Sequence, residues 1–154
     1  MTRSCTAQPA APRRQFITWL VGGGVAALGT TAEAGNGFQV IVNEGNPLGS
    51  ASRELLAEIF LKRRSEWHDG VSARPVDLKP DAPARKEFSQ DVLSRSVAAV
   101  KSYWQQLIFS GRGVPPPELD SEQAVVAHVI SHRGAVGYVS VGTELGRAKV
   151  LPLR

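Results

Sequence analysis

Cysteine is the first thing missing. The one copy, Cys5, stands in a segment that reads as a leader, so the chain beyond it has no thiol for a disulfide, a metal site or a nucleophile. Acids are absent from Met1 to Thr18. No apolar run reaches the ~20 residues that a membrane-spanning helix needs. Beyond the leader there is neither an internal repeat nor a low-complexity tract, which sets aside solenoids and disordered linkers. No G-x-S-x-G elbow marks a hydrolase nucleophile, and Gly111-Arg112-Gly113 does not follow a strand, as a dinucleotide loop would. Neither enzymatic activity nor a cofactor is expected.

With 154 residues, the chain has room for one domain with a real core. Hydrophobic residues make up 42% and charged ones 21%, the balance of a soluble globular protein rather than a disordered or multi-span one. The formal net charge is +4, of which Arg3, Arg13 and Arg14 against Glu33 supply +2. The remaining Lys and Arg are interleaved with Asp and Glu, so nucleic acid is not an expected partner.

The leader has a basic start, an apolar stretch from Phe16 to Leu28, and Ala32-Glu33-Ala34 as an A-x-A cleavage signature. Three consecutive glycines, Gly22 to Gly24, argue against a stable first helix. Residues 1–34 therefore read as a signal peptide cut after Ala34, and 35–154 as one domain delivered to the periplasm without a permanent membrane span. Arg13-Arg14-Gln15-Phe16-Ile17 resembles the twin-arginine export signal, although Pro12 and Thr18 depart from its usual flanks. Cys5 precedes the apolar stretch, whereas the lipidated cysteine of a lipoprotein signal follows it.

The folded part opens with a β-rich run, Phe38 to Val42, and a loop from Asn43 to Ser50. Ser52 then caps a helix that places Leu55, Leu56, Ile59 and Phe60 on one face, closed by Lys62-Arg63-Arg64. Trp67 ahead of Asp69-Gly70 predicts a turn pinned against the core. A second helix covers Ala84 to Leu93. The best helical stripe runs through Val97, Val100, Trp104, Leu107 and Ile108. After the stiff loop Gly111 to Pro117, Asp120 with Gln123 predicts a capping box for a helix carrying Val125, Val126, Val129 and Ile130. Strands at Gly134 to Val139 and Ala148 to Leu153 complete an α/β pattern. His128 and His132 are spaced i, i+4, but no third ligand follows from the spacing, so no metal site is expected.

The stretch from Arg74 to Leu93 organises the rest. Arg74 to Leu78 alternates like a short strand, Lys79 to Pro83 breaks regular structure, and Ala84 opens a helix. A strand that turns into a helix start aims backbone N–H groups and the positive dipole end at one point. That geometry suits an anion.

Four segments in this order, LLAEIFLKRRSEW, PVDLKPDAPARKEF, the helix end LIFSGRG and the strand GAVGYV, resemble the phosphate-binding, periplasmic substrate-binding proteins of ABC transporters. The likeness runs from about Phe38 to Val141. It implies an α/β fold: a single lobe of a type II periplasmic binding protein, with a central mixed sheet flanked by helices. Full members close two lobes over the ligand, and this chain has room for the second alone. Their R-x-x-x-S-G-T loop falls here on Leu78, Ala82, Pro83 and Ala84, counted back from Phe88, so every side-chain donor is gone. A charge-assisted hydrogen bond is worth about 1.5–3 kcal/mol. Losing the arginine and two hydroxyl contacts removes ~5 kcal/mol, more than a thousandfold in affinity. Pro83 takes away one N–H as well.

What remains is a looser oxyanion site. It would use the amides of Ala84 and Arg85, the side chains of Lys79, Arg85 and Lys86, and Asn43 or Ser50 from the neighbouring loop. The resemblance implies a solute-binding or accessory role in the uptake of phosphate or another oxyanion. The alternative is a ligand-free interaction module on the same fold, docked on an envelope protein. A lone lobe leaves the face that would meet its mate uncovered, so self-association or a partner is expected there.

Overall fold

The β-branched run after Phe38 forms an interior strand, with Val40, Ile41 and Val42 sealed from solvent. The computed structural model describes residues 37–154; the signal-peptide reading, its cleavage after Ala34 and the twin-arginine likeness lie outside the described residues. In chain order the elements are β1 (Phe38–Val42), α1 (Arg53–Phe60), β2 (Arg74–Pro75), β3 (Asp77–Leu78), α2 (Pro83–Asp91), α3 (Val97–Phe109), β4 (Glu118–Leu119), α4 (Glu122–Ser131), β5 (Ala135–Ser140) and β6 (Lys149–Val150). Among the described residues no helix is long and apolar enough to cross a membrane.

The main sheet has the order β2-β5-β1-β6. β1 runs antiparallel to β5, from Phe38 opposite Ser140 to Val42 opposite Val136, and antiparallel to β6. β2 is parallel to β5. The sheet is therefore mixed and flanked by helices, as the resemblance implies. The expected strand from Arg74 to Leu78 divides in two. β2 stays on the edge of the main sheet, where Pro75 costs no ladder bond, and β3 pairs instead with β4.

Strand alternation on β5 sends successive residues to opposite faces. Tyr138 lies against α2, its ring stacked on Phe88 with centroids 4.0 Å apart, and Phe60 and Phe38 complete an aromatic cluster. Gly137 faces α4 so closely that an added Cβ would lie 2.5 Å from Val125 Cγ1. Gly134 is tighter still, because a Cβ there would run into the carbonyl oxygen of Ser72. That close approach lets Gly134 O accept both the Trp67 indole N–H and the Arg74 amide. Trp67 is thus pinned against the core.

Three helices start on a serine. Ser52, Ser96 and Ser121 each accept an amide of the first turn, the usual N-cap bond. For α4 this replaces the expected capping box at Asp120. Ser121 stands one residue nearer the helix, and Glu122 turns to β5 and its following turn, accepting from Ser140 and Thr143. The stripe on α3 also ends early: Val100 and Trp104 are buried, but Ile108 is half exposed and Phe109 is 91% exposed.

Gly137→Ala is expected to cost about 1–3 kcal/mol through overpacking against Val125. Urea unfolding measures it, and Gly137→Ala combined with Val125→Ala should recover part of the loss.

Candidate functional site

The strand-loop-helix junction is built as the sequence suggests, and its loop is open. Lys79, Pro80, Asp81 and Pro83 are exposed. α2 begins at Pro83 with Ala82 as its N-cap and no side-chain cap bond. Pro83 has no N–H, and the Arg85 amide turns back to the Ala82 carbonyl at 3.1 Å. Ala84 N–H has no partner among the described residues, but Ala84 is only 1% exposed and packed in the core, so neither of the two expected amides is presented to solvent.

The Arg85 side chain goes inward rather than to the loop. Its Nη1 pairs with Asp77 Oδ1, both side chains being 4% exposed, and donates to Tyr138 Oη at 3.3 Å. Tyr138 in turn donates to Asp77 Oδ1 at 2.5 Å, while its oxygen accepts the Leu78 amide at 3.3 Å. The guanidinium is therefore neutralised inside the protein. Arg85 Nε and, one turn on, Ser89 Oγ have no partner among the described residues. Leu78, the position that matches the family's arginine, is itself in the core.

The other expected ligands scatter. Lys79 is exposed and pairs with Asp120 at 2.7 Å, and that hydrogen bond raises its pKa. Lys86 is exposed on the first turn of α2. Asn43 is buried: its amide donates to the carbonyls of Val129 and Ile130, both at 2.9 Å, and its oxygen accepts the Gly45 amide. It satisfies the orphan carbonyls at the end of α4 and has nothing left for a ligand. Ser50 accepts from Arg154 Nε at 2.5 Å and lines a cleft that includes no residue from 79 to 86. Lys79, Ala84 and Lys86 thus share the junction, while Asn43, Ser50 and the Arg85 side chain serve elsewhere.

Electrostatics at the junction nearly cancel. Lys79 and Lys86 stand beside Asp81 and the Asp120 that holds Lys79. His128 and His132 stack with ring centroids 4.2 Å apart, and among the described residues no group of three His, Cys, Asp or Glu gathers around a metal position. Asp77 and Tyr138 were not legible as partners of Arg85. The only hint was a carboxylate set in an otherwise apolar run.

No protein-family profile matches the sequence, and no curated protein matches it significantly. Solved structures do. A Clostridium perfringens protein assigned as a phosphate ABC transporter substrate-binding protein, with phosphate bound, superposes with a TM-score of 0.60 at 14% identity, covering 76% of this chain and 44% of that one. An ABC-type phosphate transport receptor from Vibrio cholerae gives 0.54 at 18% identity, over 76% and 46%. PstS from Borrelia burgdorferi gives 0.53 at 10%, over 76% and 47%. The chain spans less than half the length of these proteins.

Two outcomes test the buried cluster. Asp77→Asn leaves the Arg85 cation unpaired and is expected to lose about 3–5 kcal/mol, with Arg85→Met in the same chain restoring at least half; equal losses in single and double variants would contradict the pairing. Burial drives the Tyr138 pKa up to about 12, against the lowering influence of Arg85. The phenol is then an acid that the fold keeps neutral, so its contribution is complete below pH ~10 and is lost as pH climbs toward ~12, amounting to about 3 kcal/mol. In a Tyr103→Phe background, tyrosinate absorbance is expected only above pH ~11; a titration centred near pH ~10 with the fold intact would refute it.

Those superpositions show the fold: this chain, with its mixed sheet flanked by helices, has the α/β fold of one lobe of a phosphate ABC transporter substrate-binding protein.

Proposed function

We propose that this lobe is exported and meets a small oxyanion, phosphate foremost, at the start of α2 as a binding or accessory component of uptake. One observation carries the reading. In a fold that one neighbour displays with phosphate bound, α2 is the helix among the four described that starts without a side-chain cap. Its dipole end remains for an outside acceptor, with the Ala84 amide buried behind it. Among the described residues Lys79 and Lys86 are the exposed cations there, and Lys79 must give up Asp120 to serve. Capture is therefore weak, with Kd on the order of 1 mM or above.

The second reading rests on the internal pairing of Arg85. An interaction module needs no ligand charge, and the exposed Phe109, Ile108 and Val114 are the apolar residues that an envelope partner or a second copy would cover.

Thermal melting of the purified protein in low-salt buffer separates the two. At ~10 mM phosphate and Kd ~1 mM, binding adds about 1.4 kcal/mol, a rise of about 4–6 °C in Tm. The combination Lys79→Ala and Lys86→Ala should abolish it. No rise with phosphate or sulfate would leave the interaction module as the function.

A further inference from the structure

At the other end of the extended run 74–78 lies a cavity of about 360 Å³, between the end of α1, β2, α3, the proline loop 114–117 and α4. The two ends of that run serve separate places: the Arg74 and Val76 amides bond the carbonyls of Gly134 and Val136 along β5, while Asp77 and Leu78 turn away to pair with β4. The volume falls in the range of small-molecule pockets, roughly 300–1,000 Å³.

The lining is one-sided in charge. Lys62, Arg64, Arg74, His128 and His132 contribute to it, and no carboxylate does among the described residues. Arg64 is tied to Glu58 at 3.1 Å. Lys62 and Arg74 have no carboxylate partner among the described residues. Lys62 sits at φ 55, in the left-handed conformation that glycine usually takes just past a helix end. Most of the remaining wall is apolar, with Phe60, Trp104, Pro115 and Pro116, beside Ser65 and Ser72.

The histidines add a directional feature. His132 Nδ1 lies 2.9 Å from the His128 carbonyl, and a carbonyl only accepts, so Nδ1 carries the hydrogen and Nε2 is left without this bond. Burial, then His132 and Arg74, hold the His128 pKa below its ordinary value. Cations gathered without a counter-charge repel one another, and an anion is what relieves them. A bare inorganic ion would leave the apolar wall unused.

We propose that this cavity binds a small aromatic acid, its oxyanion head against Arg74, Lys62 and the imidazoles and its ring against Trp104 and the prolines. The site is independent of the α2 junction. It also differs in the ligand it selects, because the apolar wall demands a body as well as a charge.

The test is a titration of the full chain with benzoate, indoleacetate and phenyl phosphate, read by calorimetry and by the NMR signals of the His128 and His132 rings. Benzyl alcohol and inorganic phosphate serve as controls. At least one acid is expected to move both histidine signals saturably below ~5 mM, more tightly as pH falls and His128 charges. Arg74→Gln, a change to an exposed side chain, should weaken it at least about tenfold, the size of one charge-assisted contact. Lys79→Ala and Lys86→Ala should leave it unchanged, so failure of the junction reading does not touch this one. The proposal is overturned if no acid moves the histidine signals at that concentration, if benzyl alcohol binds as tightly as the acids, or if Arg74→Gln has no effect.

Discussion

The buried meeting of Asp77, Arg85 and Tyr138 is the constraint on which the rest turns. One carboxylate oxygen receives both the guanidinium and the phenol, and the three residues come from β3, α2 and β5. Taking a carboxylate and a guanidinium out of water costs several kcal/mol per ion, which their attraction and the added hydrogen bonds must offset. The pair is consequently weak evidence for extra stability. What it does is fix placement: α2 cannot slide on the sheet without uncovering a charge, and the phenol cannot move without leaving Asp77 short of a donor. The stacking of Phe88 on Tyr138 adds apolar contact to the same joint.

This joint has a direct consequence for chemistry. An arginine within the first turn of a helix that faces an open loop has the position of an anion ligand, yet here its charge is spent on Asp77. The loop leads from β3 into a helix start that no side chain caps, without cationic side chains of its own beyond Lys79 and Lys86. Lys79 is likewise engaged, by Asp120, although that pair is exposed and worth little. The difference between the two cations is burial, and burial decides which of them an incoming anion can recruit.

The sequence disclosed the layers well and the joints poorly. Phe38 to Val42 and Gly134 to Val139 were legible as strands because β-branched residues and glycine flanks mark them, and all four helices were legible from apolar spacing. The antiparallel pairing of β1 with β5, about 100 residues apart, has no local signature. Arg74 to Leu78 was legible as one short strand, but not that Arg74 and Pro75 stay at the edge of the main sheet while Asp77 and Leu78 leave it for β4. Asp120 and Ser121 are both good caps, and only the packing of Glu122 onto Ser140 and Thr143 settles which one is used. Of the expected ligands, Asn43 looked available because it lies in a loop. Two carbonyls at the end of α4 claim it, and no spacing rule links position 43 to 129.

The most direct measurement is the Arg85 Nε–H signal in the proton–nitrogen NMR spectrum, followed while phosphate is added. With the guanidinium sealed beneath α2, that proton is expected to exchange slowly with solvent and to stay in place up to ~10 mM phosphate. An Arg85 signal that exchanges as fast as those of exposed arginines, or that moves as phosphate is added, would contradict a structural role for Arg85 and return it to the ligand.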